Sequence, residues 1–218
     1  MLETLLIALS INYPILAGFV LAIAILGISP GPDNIFVLTQ SLAHGVKSGL
    51  AVVLGLASGC LVHTTLLAFG VSEIIKRSDT LFWFIKLFGV AYLLYLAFKV
   101  FRSEGRIELS STSTTKKGTW KLFWTGFTMN VLNPKVTIFF LAFFPGFLFS
   151  NALNNVLQFY VLGLLFIVIT LVIFGGIAVL SGSVSNYISK NARTGNVLKW
   201  TQIIVFVGIA IYLLLSEK

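Results

Sequence analysis

The chain has 218 residues, of which 57% are hydrophobic and only 10% charged, with a mean hydropathy of +0.99. Ordinary soluble domains carry roughly 25% charged residues, so this composition excludes a soluble globular fold and specifies an all-α integral membrane protein. The net charge of +8 would suggest a nucleic-acid partner in a soluble domain, but the basic residues fall almost entirely outside the apolar runs, so they report orientation and no nucleic acid is expected.

In chain order, the N-terminal stretch has Glu3, no basic region and no small-residue cleavage pattern, so no removable signal peptide is expected. Apolar windows of about 20 residues, enough to cross a ~30 Å hydrocarbon core, then predict six spans. The first, near 13–42, is too long for a straight crossing, because at ~1.5 Å per residue it would reach about 45 Å. Ser29-Pro30-Gly31-Pro32-Asp33 interrupts it, and proline sterics break a helix there. Ile15 to Ile28 covers about 21 Å and Asp33 to Leu42 about 15 Å, which puts the break near the midplane. The second span, near 49–71, contains Gly55 and Gly59, a small-xxx-small pair expected to form a close helix contact. It also holds the single Cys60, which can form no intrachain disulfide, and His63 beside Thr64 and Thr65. His63 has two readings, a proton relay or an interhelical hydrogen bond.

The third span, near 81–101, carries Lys86 beside Trp83 at its external end, where the ammonium is expected to snorkel to the interface. A polar linker at 102–120, with the run Ser110 to Thr115, divides the chain. The fourth span, near 121–149, is again too long and is interrupted at Asn130-Val131-Leu132-Asn133-Pro134-Lys135. The fifth and sixth lie near 155–181 and 197–215.

Six crossings put both termini on one face, so the basic residues can be sorted. Lys47, Lys99, Arg102, Arg106, Lys116, Lys117, Lys121, Lys190, Arg193 and Lys199 lie on one side, against Lys76, Arg77 and Lys218 on the other. The richer side is cytoplasmic and both termini are extracytoplasmic. Trp120, Trp124 and Trp200 then anchor cytoplasmic helix starts, and Tyr13 and Trp83 external ones. Three spans per half oblige the second half to enter the membrane from the opposite face. The third and sixth spans also compare, Gly89-Val90-Ala91 against Gly208-Ile209-Ala210. The expected fold is one transmembrane unit of 3+3 inverted repeats, about 13–101 and about 121–215, with the first and fourth helices broken.

The half-helices after Pro32 and Pro134 would both present their N-termini, the positive ends of their dipoles, at the midplane. A charge near the bilayer centre costs several kcal/mol, so Asp33 and Lys135 are candidate functional groups. Unpaired N–H groups at two helix starts, with Lys135, suit a carboxylate, and Asp33 suits an ammonium or a proton. A zwitterion fits both. The competing reading makes Asp33 a helix cap that pairs with Lys135 in a neutral internal salt bridge. Asn130 and Asn133 either bind a ligand carboxylate or satisfy carbonyls freed by Pro134. The candidate site is therefore Pro30, Gly31, Pro32, Asp33, Asn130, Asn133, Pro134 and Lys135, with Asp33 and His63 as candidates for a proton relay. No metal-ligand cluster, phosphate loop or nucleophile elbow occurs in the sequence, so neither an enzyme nor a resident metal or cofactor is expected.

At these residues the chain resembles the LysE/RhtB family of bacterial amino-acid exporters, whose members carry S-P-G-P-D/N in the first span and N-P-K in the fourth. Here those elements read Ser29-Pro30-Gly31-Pro32-Asp33 and Asn133-Pro134-Lys135. The likeness extends to His44-Gly45, to Gly89-Val90-Ala91-Tyr92-Leu93 and to Phe143-Phe144-Pro145, and so covers nearly the whole chain. It implies proton-driven export of an amino acid across the bacterial inner membrane, and leaves homo-oligomerisation open. Because Asp33 is the one acid deep in a span, a small neutral zwitterion is favoured over a basic substrate. The alternatives are an exporter of cations or amphipathic drugs, which would need Asp33 and not Lys135, and a non-transporting membrane scaffold, which would need neither.

Overall fold

The computed structural model describes residues 11–28, 31–103, 117–190 and 193–215, and among these every regular element is helical. Helix α1 (Tyr13–Ile28) is apolar on every face, as a membrane-embedded helix is. Helix α2 (Pro32–His44) follows at a bend of 57°. Its start is set by Gly31 in extended backbone and by Pro32 in the first helical position, where a missing N–H costs nothing. It ends at Gly45, whose φ of +87° and ψ of 163° only glycine adopts without strain.

Helix α3 (Val46–Leu66) runs through a wide π-type turn at Leu67–Val71 into the short α4 (Ser72–Arg77). Helix α5 (Asp79–Arg102) is capped by Ser78, whose hydroxyl accepts from the Leu81 N–H at 3.2 Å. Helix α6 (Thr119–Val131) and helix α7 (Pro134–Phe143), prolonged by a 3-10 turn at Phe144–Phe147, are bent by 52°. Helix α8 (Asn155–Val179) is capped by the Asn154 side chain, and α9 (Ser181–Lys190) and α10 (Arg193–Leu215) complete the chain. Among the described residues four helices are long and apolar enough to cross a membrane alone, and up to six spans result if each bent pair is one crossing.

Helix α3 lies at the centre, against α2, α6 and α8, while α5 pairs with α10. A side chain on Gly55 would collide with the Phe123 carbonyl, and one on Gly126 with the Val52 carbonyl, so the backbones of α3 and α6 touch. Among α1, α7 and α8 the core is aromatic, with Phe140 stacked on Phe144 at 4.2 Å and Phe139 on Phe143 at 4.4 Å. Leu21, Phe84, Phe88, Phe98, Val172 and Ile204 stay exposed, an outer surface suited to lipid acyl chains.

Two local expectations change. Residues 182–190, expected to be a loop, form most of α9, which rests on α2 and α8. Its sequence is polar and short, and Val184 and Ile188, four residues apart, leave too little periodicity to be seen without the partner helices. Lys86 does not snorkel into the interface. It is only 7% exposed, its ammonium 5.0 Å from the Trp83 ring centroid and its chain beside Ala142, Pro145 and Gly146. The reason lies one turn further on, where Gly89 packs against Ala142 and turns this face of α5 toward α7 instead of lipid.

Candidate functional site

The starts of α2 and α7, 100 residues apart in sequence, meet. Asn133 joins them: its Oδ1 accepts from the Lys135 N–H at 3.0 Å, capping α7, while its Nδ2 donates to Asp33 Oδ2 at 3.2 Å. One side chain therefore caps its own helix and bonds the acid of the other, contacts distinct from the ligand and carbonyl roles weighed for it from sequence.

Side chains bond backbone carbonyls at both interruptions. Asn34 Nδ2 donates to the Gly27 carbonyl at 2.7 Å across the first, and Thr137 Oγ1 donates to the Asn133 carbonyl at 3.2 Å beyond the second. His63, 4% exposed, places Nε2 3.1 Å from the Asn130 carbonyl at the end of α6, with its ring 5.3 Å from that of Phe140. A carbonyl only accepts, so Nε2 carries the hydrogen in this contact. His63 does not line the cavity described next.

The charged groups are left open. Asp33 Oδ1 and Asn130 Oδ1 are buried and make no hydrogen bond among the described residues. Lys135 Nζ lies 5.3 Å from the Phe206 ring centroid and 3.9 Å from where a Cβ on Gly31 would sit. Among the described residues no ion pair within 4.0 Å joins Asp33 to Lys135. Instead both line one cavity of about 70 Å³, together with Gly31, Pro32, Asn130 and Asn133. Its remaining walls are mostly apolar, among them Ile23, Val136, Phe139, Phe166 and Phe174. Burying opposite charges without contact is expensive unless a proton neutralises them or a partner of the reverse polarity lies between them.

Of the residues singled out from the sequence, six therefore converge on the cavity: Gly31, Pro32, Asp33, Asn130, Asn133 and Lys135. Pro134 starts α7 without lining it, and Pro30 lies outside the described residues. Sequence reasoning missed Asn34 and Thr170, which also line it. A signal existed for each. Asn34 directly follows Asp33, and Thr170 is a buried hydroxyl in a helix that is otherwise almost wholly apolar after its first turn.

Residues 24–217 match the family described as LysE type translocator. The chain is 31% identical to the homoserine/homoserine lactone efflux protein of Salmonella typhimurium over 171 residues, 78% of this chain and 82% of that protein. It is 32% identical to the leucine efflux protein of Klebsiella pneumoniae over 185 residues, 83% of this chain and 85% of that one. No solved structure matches it significantly.

Proposed function

Because the chain belongs to the LysE type translocator family, we propose that it is a secondary-active exporter of small neutral amino acids across the bacterial inner membrane. The observation that carries this reading is the shared cavity in which, among the described residues, Asp33 Oδ1 has no partner and Lys135 makes no ion pair. An α-amino acid supplies the two missing groups, its ammonium for Asp33 and its carboxylate for Lys135 and the N–H groups at the helix starts. At roughly 10–15 Å³ per water, a cavity of about 70 Å³ holds about five waters, the bulk of a small amino acid and well short of an amphipathic drug. The apolar walls suit a short aliphatic side chain.

Architecture supports alternating access. In a 3+3 inverted repeat α1–α2 corresponds to α6–α7, α3 to α8 and α5 to α10. The swap maps the observed α3–α8 and α5–α10 pairs onto themselves, and exchanges α3–α6 with α8–α1, both of which are packed. Coupling follows from the chemistry of one carboxylate. When the substrate ammonium leaves Asp33 on the outer face, a proton neutralises the acid for the return step, so each zwitterion exported brings one proton in. With the basic-rich face cytoplasmic, both termini are extracytoplasmic.

Purified protein in liposomes, loaded with a panel of neutral and basic amino acids and given an inward proton gradient, tests the proposal. Efflux of homoserine-, threonine- or leucine-like substrates that collapses when the gradient is dissipated is expected. Efflux of cationic dyes with no amino-acid transport would transfer the function to the cation-exporter class.

A further inference from the structure

A second cavity, a groove of about 690 Å³, lies beside the first and belongs to none of the roles assigned so far. It is bounded by α2 (Ile35, Leu38), the C-terminal part of α8 (Gly176, Ile177), α9 (Ser183, Tyr187) and Leu198 of α10. Asn34 and Ile173 line both cavities, so the wall between them is one layer of side chains thick. In that layer Ile173 is packed hard on α1, its Cδ1 only 3.0 Å from the position a Cβ would take on Gly27. A side chain on Gly27 would press on the tip of Ile173. Asn34 holds the same residue from the other side through its bond to the Gly27 carbonyl at 2.7 Å.

The opposite end of the site is closed differently. From Phe139, which lines the cavity, a chain of ring contacts runs to Phe143, stacked at 4.4 Å, then to Phe147 at 4.3 Å and Tyr212 at 4.8 Å, both tilted. The Tyr212 hydroxyl then donates to the Gly146 carbonyl at 2.9 Å. On that end α7 packs on α5, whereas among the described residues α2 makes no comparable contact with α10, the corresponding pair. The groove occupies the space between α2 and α10. A transporter with one thick seal and one thin one opens first at the thin one.

From this we infer that Ile173 and the Asn34–Gly27 hydrogen bond form the cytoplasmic gate, and that the groove along α9 is the route by which substrate reaches the site. This rests on the exporter reading for its direction. Opening withdraws Ile173 from Gly27 and releases Asn34, after which the two cavities become one. Asn34 is suited to such a latch, because its amide can exchange the Gly27 carbonyl for a substrate or water in the merged space.

Accessibility tests the gate without requiring transport. In a Cys60→Ala background of the full-length protein, Thr170→Cys places a thiol in the central cavity, and Val136→Cys gives an independent second reporter. Each is labelled with a charged, membrane-impermeant methanethiosulfonate applied separately to the two faces of oriented vesicles. Ile173→Ala and Asn34→Val are expected to raise the labelling rate from the cytoplasmic face several-fold and leave the other face unchanged. Ile173→Val gives a smaller increase and keeps the comparison interpretable if the alanine variant inserts poorly. Unchanged cytoplasmic rates at both reporters, or an increase confined to the other face, overturn the gate. An increase in a protein that moves no amino acid would leave the gate standing and remove the exporter proposal instead.

Discussion

The two helix interruptions solve the same geometric problem with opposite electrostatics. Both bend by more than 50°, 57° at the first and 52° at the second, and both restart a helix at proline. At the first, Gly31 offers no side-chain cap and Asp33 sits in the opening turn of α2, where the positive end of a helix dipole favours a carboxylate. At the second, Asn133 caps the helix and Lys135 occupies the same kind of turn, where the dipole opposes a cation. Asp33 would be tolerated for local reasons alone. Lys135 would not, and the Phe206 ring at 5.3 Å is modest compensation. On the proposed function, the lysine is therefore the sharper marker, and the site would be an anion position first and a cation position second.

The largest effects should come from the charges themselves. Asp33→Asn and Lys135→Gln are each expected to insert normally and to lower export at least about 100-fold, equivalent to roughly 2.8 kcal/mol. The double variant, Asp33→Asn with Lys135→Gln, should be as inactive as either. If the two groups merely neutralised each other, removing both would relieve the lone buried charge and restore transport. Recovery in the double variant, measured by efflux from liposomes, would thus break the comparison and return the pair to a structural role.

Capping separates the two interruptions at the next level. Asn133→Ala removes the cap of α7 and the donor to Asp33, so a loss of about 1 kcal/mol in thermal stability in detergent is expected together with a fall in export. Asn133→Ser should recover the stability, since serine also caps, without recovering export, since its side chain is too short to reach Asp33. By contrast Gly31→Ala meets only Asn34 Oδ1 at 3.8 Å and Lys135 Nζ at 3.9 Å, ordinary contact distances, so its stability should stay within about 0.5 kcal/mol of the parent. Equal behaviour of Asn133→Ser and Asn133→Ala in both measurements would show that capping is not what distinguishes the second interruption.

The smallest expected effect concerns His63. Its contact with the Asn130 carbonyl is one that a glutamine amide can reproduce, so His63→Gln should retain most export, while His63→Phe leaves the carbonyl unpaired and costs roughly 1–3 kcal/mol of stability. A proton relay predicts the reverse emphasis, because glutamine cannot titrate. Loss of proton-driven efflux in His63→Gln with counterflow exchange preserved would assign His63 to the relay.

Sequence alone was enough for the features that follow from one-dimensional constraints. Helices too long for a bilayer, prolines that cannot continue a helix and charges that cannot be left in hydrocarbon are properties of a segment and its solvent, so the apolar runs, the Ser29–Asp33 and Asn133–Lys135 interruptions and the pairing of Asp33 with Lys135 as candidates could be read directly. The glycine contact on the second span was legible for the same reason, although only the fold supplied α6 as its partner. What depends on which faces meet required the tertiary structure. Lys86 looked interfacial because its neighbours are Trp83 and lipid-facing aromatics, and it is buried because Gly89 turns that face toward α7. The partner of His63, the Asn130 carbonyl, could be named only from the fold. Asn34 and Thr170 carry only the weak signals of a neighbouring acid and a lone hydroxyl, and Ile173 carries none, yet all three line the cavity, and Asn34 and Ile173 line the second cavity as well. Their importance comes from distance between helices, which no periodicity encodes.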